Sequence, residues 1–294
     1  MTHIVLAADE SYLAFVHCVL AQLAVHARSC DGVVLLVPPG AHPDGCRSLE
    51  RTASQRSLPF QIVEVPQVAE LVPEEAIQSH HHVTAFTFSK LLIPTVLPDL
   101  DQVLYLDIDI LVRDSLDPLL SWPLSRPLGA VDEIGDGARH LFGTTRVPYF
   151  NAGVLRMSLT AMRELDMPGR AQDILREHPQ LPFHDQDVLN LIFHDNHDSL
   201  PFAFNVFEPL LNSGLPSWKL LTDPAIVHFI GPDKPWLDGY RSARTREWRS
   251  IQAEALCMSP EQTRRFVGPP VGGRHLLLGR VRGRIQGWAG RGRR

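Results

Sequence analysis

Two periods of apolar residues alternate along most of the chain. Residues 4–8, IVLAA, form a short aliphatic run of the kind a buried strand needs. Asp9-Glu10-Ser11 follows with helix-capping residue types, and residues 12–23 then place apolar side chains at helical spacing. Residues 33–37 and 60–65 read as a second and third strand, with a helix between them over 46–57. A helix over 84–97 leads into the run 101–112, DQVLYLDIDILV, which is rich in Val, Leu and Ile and holds neither Gly nor Pro. That composition predicts a single strand buried on both faces.

The pattern continues with a turn and short helix at 113–120 and a strand at 128–131 that ends in Asp132-Glu133. Residues 135–148 carry Gly and Pro without periodicity and read as an irregular loop on the acceptor side of any site. A strand at 150–157, a helix from 158 to about 178 and a helix at 183–193 follow, the last with acids in its first turn. A short strand from 225 ends in the Gly/Pro turn 231–236. Strands alternating with helices specify an α/β domain. Strand, polar turn and helix also open nucleotide-binding units, but no G-x-G-x-x-G follows the first strand, which argues against a dinucleotide site.

Composition narrows the class. A chain of 294 residues holds one large α/β domain or two small ones and needs no disulfide or structural metal to bury a core. The four cysteines are scattered, with no C-x-x-C pair, which fits a reducing cytoplasm. The start reads as a first strand rather than a signal peptide, and no apolar run approaches the roughly 18 residues of a membrane span. Residues 274–294 contain seven arginines and no acid; removing those charges from the net −5 leaves −12 for the rest. An acidic body argues against nucleic acid as the partner. In the tail, Leu277, Val281, Ile285 and Trp288 fall on one helical stripe beside Arg280, Arg284 and Arg291, as in helices that lie on the inner face of a membrane. Gly279, Gly283, Gly287 and Gly290 oppose a helix there, so an unstructured tail is the other reading. The expected division is residues 1–250 as the main domain and 251–294 as a C-terminal extension.

Two carboxylates, Asp107 and Asp109, interrupt the run 101–112. In extended chain, alternate side chains share a face, so both would point the same way. Close negative charges resist burial unless a cation lies between them, and open α/β sheets bind ligands at strand ends. A divalent cation satisfies this pair; two exposed strand-end aspartates are the plainer alternative. Lys90, set among apolar residues, either grips phosphate or snorkels to water. Asp9 either contacts a base with Tyr12 or only caps the following helix. Asp185 and Asp187 fit the positive end of a helix dipole without any further role. His228 in a strand is a core residue or a ligand, while Lys234, between Asp233 and Pro235, sits on a turn that packing does not explain. His80-His81-His82 cannot all face one ion in extended chain and reads as a solvated loop.

Read together, LYLDID at 104–109, FNAGV at 150–154, DQDVLN at 185–190 and HFIGPDKPW at 228–236 resemble glycosyltransferase family 8, the retaining GT-A enzymes. AADESY at 7–12 and FSKLLIP at 88–94 are similar to that family as well, so the likeness covers roughly residues 3–240. The resemblance implies a GT-A fold, a mixed and mostly parallel sheet between helix layers. It implies that Ala7, Asp9, Ser11 and Tyr12 hold a uridine, and that Asp107, Asp109 and His228 ligate Mn²⁺ or Mg²⁺, with Ile108 against the donor. Gly231, Lys234 and Lys90 would face the diphosphate, and Asp132, Asn151, Asp185 and Gln186 the sugar and its anomeric carbon. The chain departs from the family at Lys90, where Arg is usual, and at Glu10 and Ser11, where a second Asp or Asn is common. Lysine gives a point charge in place of a bidentate fork.

The implied reaction moves a hexose from a UDP-sugar to a hydroxyl of a saccharide, glycolipid or small molecule, with retention. Gln186 would polarise the sugar face, and Asp185 or Asp187 would serve as carboxylate if a covalent intermediate forms. A non-catalytic nucleotide-sugar binder of the same fold is the alternative; it would show loss of Asp107, Asp109, His228 or Lys234, and all are present.

Overall fold

The computed structural model describes residues 2–73, 84–211 and 223–267. Among the described residues ten strands form two sheets. The first five are β1 (His3–Ala7), β2 (Gly32–Val37), β3 (Phe60–Glu64), β4 (Gln102–Leu106) and β5 (Ile110–Val112). Then come β6 (Leu128–Asp132), β7 (Phe150–Ser158), β8 (His197–Ser199), β9 (Val206–Phe207) and β10 (Ile226–His228). The large sheet runs β3-β2-β1-β4-β7-β6-β8, and the small one β5-β10-β9. Only β7 runs antiparallel to its neighbours in the large sheet.

The sheet core follows from alternation. Ile4 and Leu6 of β1 pack on one face with Val16, Leu20 and Leu23 of the helix Leu13–His26. Val5, Val34 and Tyr105 point to the other face, against Phe88, Leu91 and Val188. Fully burying each such aliphatic side chain is worth roughly 1.5–3 kcal/mol, so both helix layers are held to the sheet by a continuous apolar surface.

Several elements differ from the pattern read along the chain. The run 101–112 is not one strand: β4 ends at Leu106, β5 begins at Ile110, and the two belong to different sheets. The polar residues mark the break, for Asp107 N donates to Gly153 O in one direction and Phe229 N to Asp109 O in the other. The helix expected from 158 to about 178 is two, Leu159–Glu164 and Met167–Glu177. Pro168 cannot continue a helix interior, so Asp166, at φ 49°, turns the chain and caps the second helix through Gly169 N. The segment 84–97 is a 3₁₀ helix over Ala85–Leu92 and then one short α-turn, Ile93–Val96, with Pro94 near its start. Within 135–148 lies a short helix, Gly137–Phe142.

The helix Ala243–Ala255 runs through residue 250, and its Trp248 is fully buried beside Cys18 and Val227. The boundary expected there falls inside an element packed on the main core. The triple-histidine segment and the arginine-rich tail lie outside the described residues. Among those described, no helix is long and apolar enough to cross a membrane.

Candidate active site

The break between β4 and β5 opens onto a cleft of about 590 Å³ that runs from Ala7 to Gln186. β10 pairs antiparallel with β5 and sets His228 opposite Ile110, one residue beyond Asp109. This register brings together residues more than a hundred positions apart. His228, 3% exposed, places Nε2 3.2 Å from Asp109 Oδ1 and 3.6 Å from Asp107 Oδ2. One ligand atom from each of the three lies within 4.8 Å of the other two. Two carboxylates and an imidazole converging at this separation suit a hard or borderline divalent cation.

Two lysines neutralise the same carboxylates. Lys90 does not snorkel; it is 3% exposed. Its Nζ lies 3.2 Å from Asp107 Oδ1 and 2.8 Å from Asp185 Oδ2, and donates to Ala152 O at 3.1 Å. It also sits 4.6 Å above the Tyr105 ring. Burial pulls its pKa down, but the Asp107 and Asp185 charges prevail and hold it well above the usual lysine value. On the opposite side Lys234 Nζ pairs with Asp109 Oδ2 and donates to Phe229 O at 2.9 Å. Burial alone would raise the Asp109 carboxyl; Lys234 and His228 outweigh it and hold it well below the carboxylate range.

At the far end of the cleft the helix Asp185–Phe193 begins. Asp185 accepts from Lys90 and, at 3.1 Å, from Thr87 Oγ1. Gln186 is held at both ends of its amide. Oε1 accepts from Asn151 Nδ2 at 2.8 Å and Ala152 N at 3.1 Å, while Nε2 donates to Tyr149 OH at 3.0 Å and Glu133 Oε2 at 3.1 Å. Asp187 turns away: Tyr149 OH donates to it at 2.6 Å and Phe183 N at 2.8 Å, and it is 1% exposed. Of the two carboxylates left open by the sequence, Asp185 lines the cleft and Asp187 supports its wall.

Residues 3–239 match the sequence model of glycosyl transferase family 8. The chain belongs to that family. General stress protein A of Bacillus subtilis (strain 168) is 28% identical over 254 residues, 80% of this chain and 87% of that protein. Glycosyltransferase GlyF of Streptococcus pneumoniae serotype 4 is 27% identical over 254 residues, 83% of this chain but 59% of its own length. The crystal structure of the galactosyltransferase LgtC with donor and acceptor sugar analogs superposes with a TM-score of 0.75 at 25% identity, covering 90% of this chain and 99% of that one. The family-8 chain thus has the GT-A fold, its mostly parallel sheet flanked by helices, and membership places it among transferases of glycosyl groups.

On this family-8 scaffold most of the residues singled out in the sequence meet. Ala7, Asp9, Tyr12, Lys90, Asp107, Ile108, Asp109, Asp185, Gln186, Gly231 and Lys234 all line the cleft. Asp9 does not cap the helix; it accepts from Ser11 N at 2.9 Å and from Thr84 Oγ1 at 2.7 Å, before the helix begins at Leu13. Ser11 is exposed and does not line the cleft. Asn151 lies behind the wall, bonded to Gln186, Gly153 N and Asn205. Asp132 faces a second cavity of about 350 Å³ beside Glu133, Arg146 and Tyr149, its carboxylate held by His197 Nε2 at 2.8 Å and Ser199 Oγ at 2.6 Å.

Sequence reasoning passed over Glu133, Tyr149, Asn205 and Trp236. Trp236 stacks on Phe15 at 4.2 Å, meets Tyr12 edge-on at 5.8 Å and lines the cleft. Its position two residues after Lys234 in the quoted motif was the available signal. Glu133, Tyr149 and Asn205 carry none, since each acts through a partner remote in sequence.

Proposed function

We infer that this family-8 chain transfers a hexose, glucose or galactose, from a UDP-sugar to an acceptor hydroxyl with retention of anomeric configuration. The observation that carries the reading is the meeting of Asp107, Asp109 and His228 in one cleft, flanked by Lys90 and Lys234 and ending at Asp185 and Gln186. The ligand set fits Mn²⁺ or Mg²⁺, with the imidazole favouring Mn²⁺. Such an ion, when bound, supplies electrophilic stabilisation of the charge on a leaving diphosphate.

The chain's own residues do the rest. Ala7, Asp9 and Tyr12 form the end of the cleft suited to a uridine, and Gly231, at φ 78°, lets the 231–236 turn bring its backbone close to the phosphates. Lys234 reaches over the same region as a mobile cation able to follow the developing charge. Lys90 fixes the Asp107 and Asp185 carboxylates and so links the phosphate end to the sugar end. Asp185 faces the sugar region with a negative charge that serves either as nucleophile or as stabiliser of an oxocarbenium-like centre, and Gln186 is held rigid beside it. The acceptor is a saccharide, a glycolipid or a small molecule.

Incubating the full chain with UDP-glucose and UDP-galactose, with and without Mn²⁺, tests the reading. Metal-dependent release of UDP from one donor is expected. Calorimetric titration with UDP is expected to show Mn²⁺-enhanced binding in the native chain, lost in Asp109→Ala and in His228→Ala while both stay folded. A folded chain that neither binds UDP nor releases it from any donor would overturn the assignment.

A further inference from the structure

Gln186 and His228 are joined by a file of buried side-chain amides whose orientation follows from two backbone N–H groups. A backbone nitrogen only donates. Ala152 N faces Gln186 at 3.1 Å and Gly153 N faces Asn151 at 2.9 Å, so the atoms they meet are the amide oxygens Oε1 and Oδ1. Asn151 therefore turns Nδ2 to Gln186 Oε1, at 2.8 Å. Its Oδ1 is met at 2.8 Å by an atom of Asn205 that has to donate, which is Nδ2. That leaves Asn205 Oδ1 facing His228 Nδ1 at 3.0 Å. An amide oxygen only accepts, so Nδ1 carries the ring proton.

The carboxylates pull the other way. Nε2 lies 3.2 Å from Asp109 and 3.6 Å from Asp107, and two acceptors alone would favour a proton on Nε2. In a neutral ring that choice would set a bare Nδ1 against Asn205 Oδ1 in direct contact at 3.0 Å, with Asn205 0% and His228 3% exposed. Two buried lone pairs facing each other lose a hydrogen bond and gain repulsion, which is enough to decide a tautomer.

We propose that Asn205 is the positioning residue of the cation site: it holds His228 as the Nδ1–H tautomer and aims the Nε2 lone pair at the space between Asp107 and Asp109. The proposal rests on the reading of these three side chains as ligands. It places the determinant of ligand geometry on a residue that touches neither donor nor cation. Asn205 occupies this place because it immediately precedes β9, whose parallel pairing with β10 sets Phe207 beside His228. Outer partners of this kind typically govern metal affinity by 10–100-fold.

Two measurements on the full chain decide it. The first is the two-bond ¹H–¹⁵N spectrum of the histidine rings, metal-free and at a pH where the rings are neutral, with His228 assigned by its absence in His228→Gln. The Nδ1–H pattern is expected in the native chain and the Nε2–H pattern in Asn205→Leu, where only the carboxylates act on the ring. An Nε2–H pattern in the native chain overturns the proposal without recourse to any variant. The second is calorimetric titration of UDP with Mn²⁺, in which Asn205→Leu is expected to bind ten- to a hundred-fold more weakly. Asn205→Asp, which keeps an acceptor toward Nδ1, is expected to retain the Nδ1–H tautomer. An Asn205→Leu chain that keeps both the native tautomer and native affinity also overturns it. A tautomer that switches as expected in chains that never bind UDP would instead sink the transferase reading and leave the assignment of Asn205 standing.

Discussion

A Cβ on Gly153 would lie 2.1 Å from His228 Cε1, 2.7 Å from its Nδ1 and 2.9 Å from Asp107 Oδ2. The glycine of the FNAGV motif is therefore where β7 makes room for the imidazole, and its conformational freedom is not what is used. Gly153→Ala is expected to displace His228 or Asp107 and abolish Mn²⁺ enhancement of UDP binding. Overpacking of this kind costs about 1–3 kcal/mol, so the melting temperature should fall by several degrees without loss of the fold. Native-like Mn²⁺ enhancement in the alanine variant would show that the contact is slack.

Lys90 is the partner of two carboxylates and has almost no access to water. Removing one member of a buried ionic group leaves the others uncompensated, at a cost of roughly 3–5 kcal/mol. Lys90→Met is thus expected to lower stability markedly in urea denaturation as well as to weaken UDP binding, whereas Lys90→Arg retains the charge. A methionine variant as stable as the native chain would mean that Asp107 and Asp185 find other partners. The pH dependence has a definite sign: the lysine pKa is raised on folding, so its stabilisation is complete below the ordinary lysine pKa and is lost as alkaline pH rises through the folded value.

Glu133 acts with the same sign in a lower pH window. Burial first, and then the nearby Asp187 charge, push its carboxyl up to about 7. The folded chain keeps this proton while the unfolded chain gives it up near pH 4.5, so stability is expected to decline as pH rises from 4.5 to 7. Each unit between the two values is worth at most about 1.4 kcal/mol. Glu133→Gln should flatten that decline while keeping an acceptor for Gln186. Identical stability profiles for the two chains across this window would refute the assignment.

Lys234 occupies an oxygen of Asp109 that a cation would also claim. Lys234→Met is expected to bind Mn²⁺ more tightly than the native chain when no nucleotide is present, because a competing positive charge is gone. It should bind UDP less tightly in the presence of Mn²⁺, because a phosphate partner is gone. Titrations with the metal alone and with UDP separate the two effects; a variant weaker in both would mean that Lys234 holds Asp109 in place and does not compete.

The parts of this arrangement that local chemistry controls were legible along the chain. The unbroken aliphatic run at 4–8 read as a strand, as β1 is, and the acids of 107 and 109 marked the cleft. Illegible were the consequences of pairing between distant segments. Nothing in DQVLYLDIDILV shows that its second half leaves the large sheet to pair with residues 226–228. Glu133, Tyr149 and Asn205 were hidden for the same reason, for an amide or hydroxyl shows its role only through the atom it faces. Pro168, by contrast, was a readable helix start inside 158–178.

The small sheet has a further meaning for how the molecule comes into being. Its three strands are drawn from residues 110–112, 206–207 and 226–228, and the central one, β10, is the last to be synthesised. Loop closure over such spans is slow compared with local helix formation. A chain emerging from the ribosome therefore carries both aspartates through more than a hundred residues of synthesis with no imidazole to join them. The Asp107–Asp109–His228 cluster is complete only once β10 has joined β5, so the affinity for a divalent ion that the proposed function requires would double as a reporter of completed folding.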